Sequence, residues 1–526
     1  MAEVMTTGTT VPGNGAGLAY ASGQGRWVLT AAVLGSAVAS IDATVVGIAL
    51  PAIGRDFHAG LATLQWVVTA YTLTLAGLLL VAGALGDRYG RRRFFLIGVT
   101  WFAAASLMCG LAPDAPTLIA ARALQGVGAA LLTPGSLAIL EVTFAPDDRG
   151  KAIGAWSGLS GVGTAIGPFL GGWLIQAVSW RWIFAVNLPV AAAVIAISTL
   201  HVPESRDPQA PERVDVVGGA LVTLGLVGIT YGLIEAPSSG WTSAVVLGSL
   251  TAGALLLGSF VLWERRSRNP VLPLELFRSA QFNATNAVTF VLYGALGGAL
   301  FLVPVQLQQV SGYTALEAGI SLLPLTAVIL LLSARSGALA ARIGPRAQMS
   351  IGPVLVGCGI ALFTRVGAAA DYVTEVLPAV LVLALGLATT VAPLTTTALA
   401  TAPARHAGAA SAVNNDVARA AGLIAVSVLP AAAGLTGAAY LDPDRFSAGF
   451  ETACLISGAL CVLAGLLAAA VIRNPDRPVR TGVGRRGTVG EQHPLHCALD
   501  APPAITRGRP TGDRRGFLAF CRRVRR

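Results

Sequence analysis

The chain has 526 residues, 54% of them hydrophobic and only 12% charged, with a mean hydropathy of +0.69. Soluble domains carry about 25% charged residues, so half of the usual solvated surface is missing and a water-soluble globular protein is excluded. The net charge of +10 is almost wholly arginine, Lys151 being the only lysine, and its gathering in loops and a tail argues against a nucleic-acid stripe.

Residues 1–26 are rich in Gly and Thr and read as a disordered arm. Trp27 to Leu50 is too long for a signal-peptide core and reads as the first membrane span, ended by Pro51. Apolar stretches of the roughly 20 residues that cross about 30 Å of hydrocarbon recur near 62–83, 94–112, 117–140, 152–177 and 182–200. A polar linker at 201–214 precedes spans near 215–235 and 243–263, closed by Glu264-Arg265-Arg266-Ser267-Arg268. Six more are expected near 282–308, 315–336, 348–367, 375–400, 408–431 and 450–472. None alternates as a barrel strand does, so each satisfies its own backbone as a helix. The expected product is an all-α membrane protein of fourteen spans. It comprises a six-helix bundle at 27–200, a linker with an inserted helix pair at 201–280, a second six-helix bundle at 281–472 and an Arg/Pro-rich tail at 473–526.

A repeat supports the two-bundle reading. Gly83-Ala84-Leu85-Gly86-Asp87-Arg88-Tyr89-Gly90-Arg91-Arg92 returns as Gly337-Ala338-Leu339-Ala340-Ala341-Arg342-Ile343-Gly344-Pro345-Arg346, identical at six of ten positions. A charged turn written twice between membrane helices indicates duplication. With the termini inside, the inner loops hold Arg88, Arg91, Arg92, Arg93, Arg149, Lys151 and most other cations, and the outer loops little beyond Arg55, Arg181 and Arg445. The positive-inside rule therefore puts both termini in the cytoplasm. High Ala and Gly with Arg in place of Lys indicates a GC-rich bacterial genome, hence a bacterial plasma membrane.

Charges within spans mark function, each costing ~2.5–3.5 kcal/mol at a helix centre. Asp42 in the first span and Arg122 in the fourth lie at overlapping depths. A carboxylate that keeps its charge beside Arg122 and gains a proton away from it could couple transport to protons; a static brace is the alternative. Gln125 follows Arg122 by one turn. Gly163, Gly167 and Gly171, with Gly172 and Pro168, form a strip without side chains, read either as close packing or as a pivot sealing the outer end. Asp87 is expected just before the third helix, facing a cation. Asn414, Asn415, Asp416 and Arg419 are candidate cavity-lining groups, with Asp416 and Arg419 three apart and able to pair. Trp66, Tyr71, Trp156, Trp173, Trp180 and Trp182 read as interface anchors. Walker A needs Gly-Lys-Ser/Thr, and the single lysine stands in Gly150-Lys151-Ala152, so the chain is not itself a P-loop ATPase. The cysteines form no CxxC pair, and neither a metal nor a cofactor is expected.

Together these motifs resemble the Major Facilitator Superfamily, in particular its fourteen-helix drug:proton antiporters of the EmrB/QacA type. Gly83-x-Leu85-x-Asp87-Arg88-x-Gly90-Arg91-Arg92 resembles the signature loop after helix 2, which gates. Leu118-x-x-x-Arg122-x-x-Gln125-Gly126 resembles the helix 4 proton-transfer motif, and Gly163-x-x-x-Gly167-Pro168-x-x-Gly171-Gly172 the helix 5 antiporter motif. Ile41-Asp42-x-Thr44-x-Val46 resembles the helix 1 motif of this branch, with Gly47 where Asn is commoner. The resemblance implies a proton-driven exporter of hydrophobic or cationic compounds that works by rocking two bundles in the lipid bilayer, with a monomer as the simplest unit. The alternatives are a dedicated exporter of one endogenous metabolite, a solute:proton symporter and a non-transporting sensor. No nucleophile–base constellation points to an enzyme.

Overall fold

The structure, a computed structural model, describes residues 17–210, 214–267, 270, 272–400, 407–440 and 442–474. The start of the N-terminal arm and the tail from 475 onward lie outside the described residues. Among the described residues, fourteen helices are long and apolar enough to cross a membrane: α1 Gly23–Asp56, α2 Leu61–Tyr89, α3 Arg91–Gly110, α4 Ala115–Thr143, α5 Pro146–Ala177, α6 Trp182–His201, α7 Val216–Ser239, α8 Ala244–Arg266, α9 Ala280–Gln309, α10 Ala315–Ile343, α11 Pro345–Arg365, α12 Tyr372–Ala400, α13 Ala407–Ala432 and α14 Pro443–Val471. α6 and α10 are each broken by a single residue, Val186 and Leu322. Side-chain caps start many of them. Ser22, Asp114, Asp215, Ser243 and Asp371 each accept an N–H from the first turn, and Thr314 and Glu317 form a reciprocal capping box.

α1 to α6 pack together as one bundle and α9 to α14 as a second, while α7 and α8 form a hairpin whose α7 lies against α2 and α13. Hydrogen bonds fix which helix ends share a face. Gln24 donates to His201 O, Leu18 N to Thr143 O, Gln281 to Arg473 O, and Arg346 N to Asn474. That face also holds the Arg88–Arg93 turn and is called the arginine-rich face below. Arg181 pairs with Asp56 at 2.6 Å on the opposite face, where Arg55, Arg365 and Arg445 also lie.

Three expectations are corrected. α1 runs through Pro51 to Asp56. Pro51 leaves the Gly47 carbonyl, four residues back, without its helical N–H, a loss that a packed membrane helix tolerates; at the neighbouring position Gln308 of α9 donates to Ile48 O at 2.9 Å. Residues 17–26 are not a loose arm: Leu18 bonds both Thr143 O and Ala145 N, and Tyr20 N reaches Asp148 at 2.9 Å. Two anchors are buried instead of interfacial. Tyr71 lies beneath Arg122, and Trp180 packs on Phe184 and donates to Asp56.

Candidate functional site: a buried carboxylate beside a central cavity

Asp42 and Arg122 meet inside the first bundle, each 1% exposed. α1 extends past Pro51, so Asp42 lies deeper than its distance from the proline implied, and it faces α4 two turns from that helix's start. Arg122 Nη1 lies 2.5 Å from Asp42 Oδ2 and 2.5 Å from Gln125 Oε1, while Nε donates to Val67 O at 3.2 Å. Gln125 Nε2 donates to Asp42 Oδ1 and to Ser106 Oγ, both at 2.8 Å, and Asn187 Nδ2 donates to the same two atoms at 3.3 Å. The guanidinium lies over the Tyr71 ring, 4.4 Å from its centroid. Four helices thus supply hydrogen-bonding side chains to a charged pair that water does not reach. A pair this buried holds only if its remaining valences are satisfied; Gln125 and Asn187 satisfy them, and Ser106 accepts from both of those amides. Gln125 belongs to this cluster and lines no cavity described here. Ser106 was missed because one serine in an apolar run carries no periodic signal.

Between the two bundles lies a cavity of about 410 Å³, which the pair itself does not line. Ala43 and Thr44, the residues after Asp42, form part of its wall. Threonines dot an otherwise apolar lining: Thr44, Thr69, Thr72, Thr164 and Thr326. Gly47 also faces it, with nothing within 4 Å of where a Cβ would stand. The strip on α5 packs against α1. A Cβ on Gly167 would overlap Thr44 Oγ1, and one on Gly171 would press on Val45. Gly172 approaches the second bundle so closely that a Cβ would stand 2.5 Å from Ala315 O, and Gly319 of α10 approaches the Pro168 carbonyl in return.

These glycine contacts belong to a seal on the opposite face. Gln65 of α2 donates to Val426 O at 2.6 Å, and Gln308 bridges to Ile48 O. Gln309 donates to the Tyr440 hydroxyl at 2.9 Å. Burial pushes the Tyr440 phenol up to about 12, so it stays a neutral partner at physiological pH.

The signature turn is built from both sides. Asp87 stands in the last turn of α2, not ahead of α3, because the helix runs to Tyr89 before Gly90 turns the chain at φ +127°. Its Oδ1 accepts from Arg91 Nε at 2.7 Å. Glu204, in the linker after α6, accepts from Arg92 N and Arg93 N at 3.1 Å each, and Arg92 donates to Val202 O. Gly83 lies against Pro134 of α4, and Tyr89 stacks on Phe94 beside Arg88.

The α13 candidates separate. Asn414 is a brace, donating to Asn286 Oδ1 at 3.1 Å and Thr289 Oγ1 at 2.9 Å inside the second bundle. Asn415 is exposed and bonds its own helix at Ser411 O, so it lines no cavity described here. Asp416 lines a second, lateral cavity. Asp416 and Arg419 make no ion pair among the described residues, and Asp416 Oδ1 and Arg419 Nε are both buried without a hydrogen-bond partner. Their spacing allows a pair, but only Asp416 faces the lateral cavity.

The sequence profile of the Major Facilitator Superfamily matches residues 32–427. The chain is 36% identical over 428 residues to the tetracenomycin C resistance and export protein of Streptomyces glaucescens, covering 81% of this chain and 79% of that protein. It is 35% identical to the methylenomycin A resistance protein of Bacillus subtilis strain 168, over 85% of this chain and 94% of that one. A puromycin resistance protein of Streptomyces alboniger is 37% identical, over 79% and 83% respectively. Among solved structures, a bacterial homologue of the human lysosomal transporter Spinster, in an inward-facing and unoccupied conformation, matches with a TM-score of 0.60 at 17% identity, covering 86% of this chain and 97% of that chain. That likeness speaks for the fold alone. A profile match over most of the chain, joined by relatives of this identity along most of their own length, leads to one conclusion: the chain belongs to the Major Facilitator Superfamily and is a multi-pass membrane protein.

Proposed function

We propose that the chain exports hydrophobic, antibiotic-like compounds across a bacterial plasma membrane in exchange for protons, with both termini cytoplasmic. The observation that carries this reading is the placement of Asp42: a fully buried carboxylate, held by Arg122, one residue from the wall of the central cavity. On this reading the arginine-rich face is the cytoplasmic one. The seal formed by Gly172, Gly319 and Gln65 then closes the outer side.

A proton delivered to Asp42 Oδ2 neutralises the carboxylate and removes the charge that holds Arg122. Arg122 keeps the Val67 carbonyl and Gln125 as partners, so releasing Asp42 does not orphan the guanidinium. Because Thr44 of the same helix fills the hollow left by Gly167, a shift of α1 at Asp42 is felt at the α5 strip and the cavity wall. The gradient supplies the energy, and no bound nucleotide is needed.

Three relatives are named for export of, or resistance to, a single antibiotic, which favours a dedicated exporter as the second reading. Proteoliposomes under an imposed pH gradient test both readings against a panel that includes tetracenomycin C, puromycin and lipophilic dyes. Uphill movement of several compounds supports broad export, and of one compound a dedicated pump. Movement of none under any gradient would defeat the proposal.

A further inference from the structure

The inserted hairpin α7–α8 has no counterpart in a two-bundle transporter, and its position gives it a task. Together with α2, α13 and the segment after α8 it encloses a cavity of about 210 Å³. The walls are apolar: Leu80 of α2, Val222 and Leu226 of α7, Phe260 of α8 and Phe277. One charged side chain faces it, Asp416 of α13. Its Oδ1 is buried and has no hydrogen-bond partner, a costly state for a carboxylate unless something cationic completes it. Arg419 does not line this cavity and makes no ion pair with Asp416 among the described residues.

The cavity sits toward the arginine-rich face. Asp416 is about nine residues, or ~13 Å, along α13 from its start at that face. Phe277 on its rim is 37% exposed, although most apolar side chains around it are covered. The hairpin is drawn against α2 by small residues: a Cβ on Gly77 would overlap Thr223, and one on Gly219 would overlap Val81. Further along the same two helices, α2 and α13, lies the central cavity, walled by Thr69, Thr72 and Leu423. A single layer of buried leucines, Leu73, Leu226 and Leu423, stands between the two spaces. Leu226 faces the lateral cavity and Leu423 the central one.

We propose that the inserted pair builds a lateral vestibule in which Asp416 binds lipophilic monovalent cations arriving from the arginine-rich leaflet, ahead of the three-leucine layer and the central cavity. Its purpose rests on the export reading, but its test does not. An aromatic cation matches the vestibule on two counts, since its charge meets a carboxylate with an open valence and its rings meet Phe260 and Phe277. The central cavity, whose lining has hydroxyls and no ionisable side chain, gives no such preference for charge.

The test is equilibrium binding of radiolabelled tetraphenylphosphonium to the full chain in lipid nanodiscs, with empty nanodiscs subtracted and no pH gradient. Saturable binding is expected. Asp416→Asn should weaken it on the order of tenfold or more, since a buried charge partner is lost, whereas Asp416→Glu should hold it within a few-fold. Val222→Trp, which fills the vestibule and leaves the carboxylate in place, should block binding as well and serves if Asp416→Asn fails to fold. Triphenylphosphine oxide, a neutral molecule of similar shape, should compete poorly. Absence of saturable binding in the unaltered chain would overturn the proposal, as would undiminished affinity in Asp416→Asn. Binding is read without a gradient, so this result stands apart from that of proton-driven export.

Discussion

The two bundles repeat a backbone device and differ in what it carries. In the first, Gly90 turns the chain at φ +127° and Glu204, just after α6, caps the N–H groups of Arg92 and Arg93. In the second, Gly344 turns at φ +87° and Asn474, just after α14, accepts from Arg346 N at 3.0 Å. The geometry is shared, but an acid caps the first copy and a neutral amide the second. Inside the bundles the contrast sharpens. The first encloses Asp42 and Arg122, whereas the second holds Asn414, Asn286 and Thr289 at its polar brace. Duplication supplied a common frame, but the buried ion pair lies in the first half, whereas Asp416 and Arg419 in the second make no ion pair among the described residues.

The largest expected effect breaks that asymmetry at its centre. Arg122→Ala would leave Asp42 buried without its cation, a loss of about 3–5 kcal/mol for a broken buried pair. Lower yield of folded protein and absent transport are expected, read by size-exclusion profile and vesicle assay together. Asn414→Ala in the second bundle removes only neutral hydrogen bonds, about 1 kcal/mol, and should leave transport largely intact. Equal damage from both would contradict the asymmetry.

Next come the glycines that join the halves. Gly319→Leu puts a side chain where the Pro168 carbonyl stands, so the opposite face should fail to close. Transport should drop roughly tenfold or more, as expected when a conformational step is lost, and cysteines introduced at positions 48 and 308, which a hydrogen bond joins across the seal, should be linked by a short bifunctional reagent less readily than in the parent. Efficient cross-linking in the variant would show that closure does not depend on the glycine.

Smaller effects test the turns. Glu204→Ala removes a cap worth about 0.5–2 kcal/mol, and Asn474→Ala should cost less because its amide makes a single bond to the turn's N–H groups. Thermal melts in detergent should place the first variant below the second. The smallest change in stability is expected for Gly47→Asn, since a Cβ there meets open space. It should instead alter which compounds compete for the central cavity, visible as changed inhibition patterns at unchanged expression.

The number of spans, their order and the duplicated turn were legible because a bilayer imposes length and apolarity on every crossing segment. Asp42 and Arg122 stood out for the same reason, as charges where charge is costly. Other features depend on contacts far apart in sequence. The end of α1 could not be read at Pro51, since the helix continues through it to Asp56 while Gln308 from the other bundle bonds Ile48 O alongside. Glu204 and Asn474 look like ordinary linker residues until the chain folds back on the turns. Asp416 and Arg419 satisfy the spacing rule for a helical pair, yet no ion pair joins them among the described residues and only Asp416 faces the lateral cavity.

The most direct measurement compares the unaltered chain with Asp42→Asn in proteoliposomes, following one transported compound under two conditions. With no pH gradient, exchange of labelled for unlabelled compound should persist in the variant, because the cavity and seal are untouched. With a gradient imposed, uphill accumulation should fall to background in the variant while the unaltered chain concentrates the compound. Gradient-driven accumulation undiminished in Asp42→Asn would contradict the assignment of proton coupling to this carboxylate.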